Sequence, residues 1–226
     1  MKKTSLLIMF IIFIAKLSFA QITPIHNIQH DGTTGVVTVQ GIVCATDVFQ
    51  ETWIADAAGT YNGIVIYDAT ISTTYVAGDL IQVTGSVQEY FNMTEISSVT
   101  ANSIVSSGNP LYPATVITCT DLDMATPADT LPAEQYEGCL VRIENAKCIT
   151  AQEMANYEAT VSDDSSVHTT IIDDDVAYHL IFGMSVGAIY DITGVVQYKY
   201  AAYKLCPRNA SDIIFKSPDV NDWAIY

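Results

Sequence analysis

Between Lys16 and Arg142 the chain contains no lysine and no arginine. Over 226 residues it has nine basic side chains against 25 acidic ones, a formal charge of −16. Cationic neutralisation of phosphates supplies most sequence-independent affinity for nucleic acid. That stretch has nothing with which to do this, and a chain this acidic repels polyanions as a whole. Cysteine pairs two residues apart are also missing, which excludes the common zinc-ribbon sites. There is no Gly-x-Ser-x-Gly elbow, no P-loop and no His-Glu-x-x-His helix. The histidines (His26, His30, His168 and His179) are scattered, apart from the His26/His30 pair in a short Pro- and Gly-flanked entry segment. Loop polarity accounts for that pair. Carboxylate pairs are everywhere in so acidic a chain and mark no acid–base couple. The expectation is a protein that is not an enzyme.

Only one apolar run is long, and it lies at the start. Lys2 and Lys3 precede Leu6–Ala15, and Ser18-Phe19-Ala20 supplies small residues for a signal peptidase. This reads as a cleaved secretory signal over residues 1–20. The run is too short for a confident membrane span, and Lys16 interrupts it. No cysteine stands at the cut, so no lipid anchor is expected there. The mature chain is expected to be secreted or displayed at the cell surface. Losing Lys2, Lys3 and Lys16 takes the charge from −16 to −19. The remaining cations, Arg142, Lys147, Lys199, Lys204, Arg208 and Lys216, all lie in the second half.

Five cysteines follow: Cys44, Cys119, Cys139, Cys148 and Cys206. Export permits disulfides, but an odd number leaves at least one thiol over, and spacing cannot give connectivity. The simpler reading is that most are small buried hydrophobes.

What the chain does contain is a repeat. Gly78-Asp79-Leu80-Ile81-Gln82-Val83-Thr84-Gly85-Ser86-Val87-Gln88-Glu89-Tyr90 returns about 109 positions later as Gly187-Ala188-Ile189-Tyr190-Asp191-Ile192-Thr193-Gly194-Val195-Val196-Gln197-Tyr198-Lys199. An echo at that distance means one domain used twice. Alternating apolar residues predict strands at Val37–Val43, Thr52–Asp56, Gly63–Asp68 and Leu80–Tyr90, with a weaker fifth from Met93 to about Val105. Five strands with no long helical stripe suggest a small closed barrel. The second set is Gly138–Ile149, Tyr157–Ser162, Val167–Asp173, Ile189–Tyr198 and Ala201–Leu205, closed by Ser211–Phe215. The expected organisation is a first barrel over 21–108, an irregular linker over 109–136 with Pro110, Pro113, Pro127 and Pro132, a second barrel over 137–216, and a tail over 217–226. The crossing between third and fourth strands is short and Thr-rich in the first copy (Ala69–Ala77). It is longer and apolar in the second (Val176–Val186), with room for a helical turn.

The Gly-Asp-Leu-x-x-Val-Thr-Gly-x-Val run with a following aromatic, and Thr94-Glu95-Ile96 after it, resembles the oligosaccharide/oligonucleotide-binding (OB) modules attached to secreted bacterial nucleases. Tyr136–Asn145 is similar to the opening strand of such modules. Ala159–Asp163, Asp173-Asp174-Asp175 and Leu205–Ile213 resemble its later landmarks. The resemblance covers about 23–215 and rests on the order and spacing of weak motifs. It implies an all-β fold of two tandem five-stranded OB-like Greek-key barrels, an accessory unit without the hydrolytic domain. Val220–Tyr226 faintly resembles the approach to a type IX secretion sorting domain, and a chain truncated at Tyr226 is one reading of it.

Two candidate sites follow. OB sheets bind single strands by stacking bases on exposed rings beside a basic groove. Tyr190, Tyr198, Tyr200 and Tyr203 cluster with Lys199, Lys204 and Arg208. The opposing reading makes half of these tyrosines packing residues and the lysines solvated. Calcium, which takes six to eight oxygen ligands, could use Asp163, Asp164, Asp173, Asp174 and Asp175 at neighbouring strand ends, although no EF-hand pattern is present and solvated loop charge also explains them. Trp53 fits core or rim packing better than a ligand platform. The functional expectation is an exported binding module for single-stranded nucleic acid or oligosaccharide. The alternative is a structural or adhesive spacer that contacts protein, other domains or cell-surface components.

Overall fold

The computed structural model describes residues 21–123 and 133–218. The expected signal segment, Pro127 and Pro132, and the residues resembling a sorting domain lie outside the described residues. A short helix α1 (Ile25–Gln29) leads into five strands: β1 (Gly35–Thr46), β2 (Glu51–Ala55), β3 (Gly63–Tyr67), β4 (Leu80–Tyr90) and β5 (Met93–Ser106). Helix α2 (Ala69–Thr74) bridges β3 and β4. The strands close in the order β1-β2-β3-β5-β4, with β4 returning to β1. All contacts are antiparallel except β3 with β5. The closed ring removes exposed edges.

The second copy repeats this plan. A short β6 (Thr115–Ile117) precedes β7 (Leu140–Glu153), β8 (Glu158–Ser162), β9 (Thr170–Ile172), β10 (Ala188–Lys199), β11 (Ala202–Cys206) and β12 (Ile213–Pro218). Strands β7-β8-β9-β11-β10 run side by side, and β10 pairs back onto β7 to complete the ring. Again one contact within the ring is parallel, β9 with β11. β6 and β12 extend the sheet beyond the ring. The fold is therefore all-β and OB-like in both halves, as expected. The stretch after Pro113 is less irregular than its prolines suggest, because β6 pairs in parallel with β7.

The repeated Thr-Gly has a steric cause. A Cβ on Gly85 would sit 2.7 Å from the Ser97 carbonyl oxygen, and one on Gly194 would sit 2.5 Å from that of Cys206. In both copies the fourth strand crosses the fifth at a distance only glycine allows.

The crossings reverse the expectation. The helical turn is in the first copy, where the Asp68 side chain accepts from the Thr70 and Ile71 amides and so caps α2. Ile71 is fully buried among the barrel's own interior residues, including Ile54, Ile64, Ile66 and Ile96. In the second copy 176–186 is non-helical, and it packs Phe182 and Met184 into the core instead. Helix α1 was also unforeseen in the entry segment. Its Ile25 and Ile28 join the first barrel's interior.

The two barrels share a core. Along β2 and β3 the residues alternate: Ile54, Ile64 and Ile66 point into the first barrel, while Trp53, Ala55 and Val65 join the cluster containing Cys139, Leu140, Val195 and Cys206 of the second. Trp53 is 0% exposed. The seam is close enough that a Cβ on Gly63 would lie 2.2 Å from the Gly138 carbonyl oxygen. Hydrogen bonds that cross it include Tyr61 N–H to the Gln135 carbonyl (2.7 Å), Thr94 N–H to Glu137 Oε1 (2.8 Å) and Gln197 Nε2–H to Glu51 Oε2 (2.7 Å). The β2–β3 face is the usual ligand face of an OB barrel. In the first copy the second copy covers it.

Candidate functional site

The site is a cleft of about 510 Å³ at the rim of this seam. Two hairpin tips and the first residue of β2, Glu51, build it. Residues 47–50 join β1 to β2, and Asp47 Oδ1 accepts from the Phe49 and Glu51 amides at 2.9 and 2.7 Å to hold that loop. Phe91-Asn92 is the two-residue tip between β4 and β5, and Tyr200-Ala201 is the tip between β10 and β11. All four tip residues have positive φ: 49°, 65°, 54° and 63°. This is the backbone of a primed hairpin turn, which normally calls for Asn or Gly. A ring in that conformation is strained by about 1–2 kcal/mol. Its position shows why the rings matter, because Phe91 is 80% and Tyr200 85% exposed, and both line the cleft. They are also the same position of the repeat.

Tyr90 stands beside Phe91 with ring centroids 4.7 Å apart. Outside the cleft lining, Phe49, whose ring centroid is 5.5 Å from Lys199 Nζ, meets Tyr178 edge-on at 5.1 Å, and Tyr178, His179 and Tyr157 continue as a stack. The floor is polar. Gln197 donates to Glu51, whose carboxyl is pushed up to about 8 by burial, with the Asp47 charge adding to it. Lys199 Nζ lies 2.6 Å from Asp175 Oδ2.

Of the expected ligand-binding residues, Tyr198, Lys199 and Tyr200 reach this cleft. Only Tyr200 presents an exposed ring. Tyr198 and Tyr203 are buried as a cross-strand pair, with centroids 4.8 Å apart, and the Tyr203 hydroxyl donates to Glu134. Tyr190 is buried and its hydroxyl oxygen accepts from the Ser185 amide. Lys204 is buried between Glu158 (2.5 Å) and Asp173 (2.6 Å). Burial works to lower its pKa, but these hydrogen bonds outweigh it and leave the pKa raised. Arg208 is engaged by both oxygens of Asp212. The rest of the cations follow suit: Arg142 and Lys216 share Asp191, and Lys147 is also engaged. A basic groove beside the rings is therefore not present among the described residues. Trp53 is core, as expected.

The acidic residues divide. Asp173, Asp174 and Asp175 each offer an oxygen within 4.8 Å of the others. Asp173 and Asp175 already hold lysines, and burial raises Asp173 to about 6. Asp163 instead accepts from the Cys119 amide, and Asp164 bonds His168. His26, His30 and Asp31 form a second group with donor atoms within 4.8 Å.

Tyr90 and Phe91, which line the cleft, had escaped the sequence reading. The available signal was position: Phe91 follows the first copy of the repeat directly, as Tyr200 follows the second.

No protein-family model and no curated protein matches the chain. Similar solved structures include the p204 HINb domain (14% identity, TM-score 0.36, covering 76% of this chain and 93% of that one). Another is a murine DNA-binding protein bound to double-stranded DNA (11%, TM-score 0.40, 81% and 97%). A third is the Ifi202 HINa domain in complex with 20-bp double-stranded DNA (9%, TM-score 0.37, 83% and 99%). At such scores the strand order described above remains the basis for the fold. No helix among the described residues is long and apolar enough to cross a membrane.

Proposed function

We propose that this chain is an exported, non-catalytic OB-type binding module. It holds an oligomeric ligand by ring stacking across the seam between its two barrels. The observation that carries this reading is the convergence of Phe91 and Tyr200, equivalent tips of the two copies, on one cleft in strained and exposed form. Strain of this kind persists where it serves a site. Single-stranded nucleic acid and oligosaccharide are the ligand classes OB barrels accept. The motif resemblance supports a setting beside a secreted nuclease.

The test is a binding titration of the full chain with oligo-dT and with oligosaccharides, repeated with Phe91→Ala and Tyr200→Ala. Loss of affinity in both variants supports the cleft; unchanged affinity in both removes it. A second reading, an inert spacer, is favoured by the loss of the first barrel's β2–β3 face to the seam. It predicts that none of these probes binds.

A further inference from the structure

Beyond Tyr200 the cleft continues. A second cavity of about 550 Å³ lies on its other side, and Tyr200 lines both. Two ammonium groups lie near the base of this ring: Lys199 Nζ is 5.9 Å and Lys204 Nζ 5.4 Å from its centroid, while the ring itself stays exposed. Cation–π contacts of this kind orient a ring that is otherwise free in solvent. The two cavities adjoin at this shared ring and together make a groove with Tyr200 at its middle.

The floor of this groove has a definite chemistry. Acceptors and donors alternate along it: Glu51 with Gln197, Asp175 with Lys199, then Asp173 and Glu158 with Lys204. A sugar hydroxyl both donates and accepts, so it can meet the partly exposed members of these pairs, Lys199, Asp175 and Glu158, without separating them. A phosphodiester only accepts and is charged. To bind here it would have to draw Lys199 or Lys204 from its carboxylate, and Asp173 and Lys204 are each 4% exposed at the side chain. Leaving one of them uncompensated in the interior is strongly unfavourable. The partly exposed carboxyl groups of Asp175 and Glu158 also disfavour the anion.

We propose that this groove binds an uncharged oligosaccharide, long enough to pass over Tyr200, with sugar rings stacked on Phe91 and Tyr200 and hydroxyls on the paired floor. This rests on the cleft reading above and names its ligand class.

The experiment is isothermal titration of the full chain with three sets of probes. The first is neutral hexasaccharides of glucose, xylose and mannose, with the matching disaccharides. The others are a uronic-acid hexasaccharide and oligo-dT. At least one neutral hexasaccharide should bind about tenfold tighter than its disaccharide, and this affinity should hold from low to high salt. Tyr200→Ala should weaken it about tenfold or more, since a stacked ring carries about one such factor. Tyr200 is 85% exposed, so the variant should keep its circular dichroism and melting temperature. Salt-sensitive, Tyr200-dependent binding of oligo-dT without any saccharide binding would overturn the ligand class and leave the cleft standing. Binding of any probe that ignores Tyr200, or no binding at all, would overturn both.

Discussion

Phe91 and Tyr200 occupy one position of a fold used twice, in left-handed backbone at φ 49° and 54°, and they face the same cleft. Duplication alone would scatter the two hairpin tips. The seam brings them together, because Trp53 and Val65 of the first barrel pack into the second barrel's core. The site is thus a product of how the copies dock, and neither barrel contains it alone.

Backbone strain at these tips predicts a trade between stability and binding. Asn is far better tolerated than an aromatic residue at positive φ. Phe91→Asn and Tyr200→Asn should each raise stability by up to about 1 kcal/mol. Both should weaken ligand binding, as should the alanine variants. Thermal melts and titrations of the same samples check this. A variant that binds as well as the parent would dissociate the strain from the site.

Acid should stabilise the protein near the seam. In the unfolded chain Glu51 ionises at its ordinary value of 4.5, but burial, with Asp47 beside it, raises it to about 8 in the fold. Between those values the native state keeps a proton that the unfolded state has lost. Stability contributed by Glu51 is therefore greatest at low pH, falls as pH rises through this window, and levels off above about 8. Asp173, raised to about 6, and the buried Glu137 act in the same direction. The melting temperature should be higher near pH 5 than near pH 8, and Glu51→Gln should flatten the upper part of that slope. A slope unchanged by Glu51→Gln would show that this carboxyl does not carry it.

The Gly63–Gly138 contact predicts a sharp steric limit. A methyl at Gly63 would meet backbone at 2.2 Å, with no flexible side chain to give way. Gly63→Ala should cost at least about 1–3 kcal/mol. Gly59→Ala is the contrast: its Cβ has room (nearest atom 3.7 Å), but φ is +98°, so any loss there comes from backbone strain alone. If the barrels part at the seam, Trp53 fluorescence should shift to the red in Gly63→Ala and stay put in Gly59→Ala.

The architecture was legible because its causes are periodic. Alternation gave both strand sets, and the Thr-Gly echo fell at the one place per copy where β4 and β10 must cross a neighbour closely. The binding rings were less legible for a physical reason. Tyr198 and Tyr203 look as polar and accessible in sequence as Tyr200, yet pairing across β10 and β11 turns the first two inward and leaves the tip residue outside. Neither could sequence show the cations being claimed by Asp175, Asp173, Asp191 and Asp212, since most of these partners lie far along the chain. The helix α2 was missed because Thr-rich composition hid the Asp68 cap and the single inward Ile71.

Thiol chemistry offers an independent check of the core. All five cysteines are buried and free, and burial pushes the Cys44 and Cys119 thiols up to about 12. A thiolate-selective reagent such as DTNB should react slowly or not at all with the native protein, and with five thiols in denaturant. Fewer than five in denaturant without reductant would reveal a disulfide and contradict the packing described.

Hydrogen–deuterium exchange of the full chain, free and saturated with whichever oligosaccharide or oligo-dT probe binds, tests the central claim most directly. The account predicts slowed exchange in three separate segments at once: 47–51, 90–93 and 197–202. These come from both barrels and meet only at the cleft. Protection confined to one barrel, or on a surface away from Phe91 and Tyr200, would contradict it.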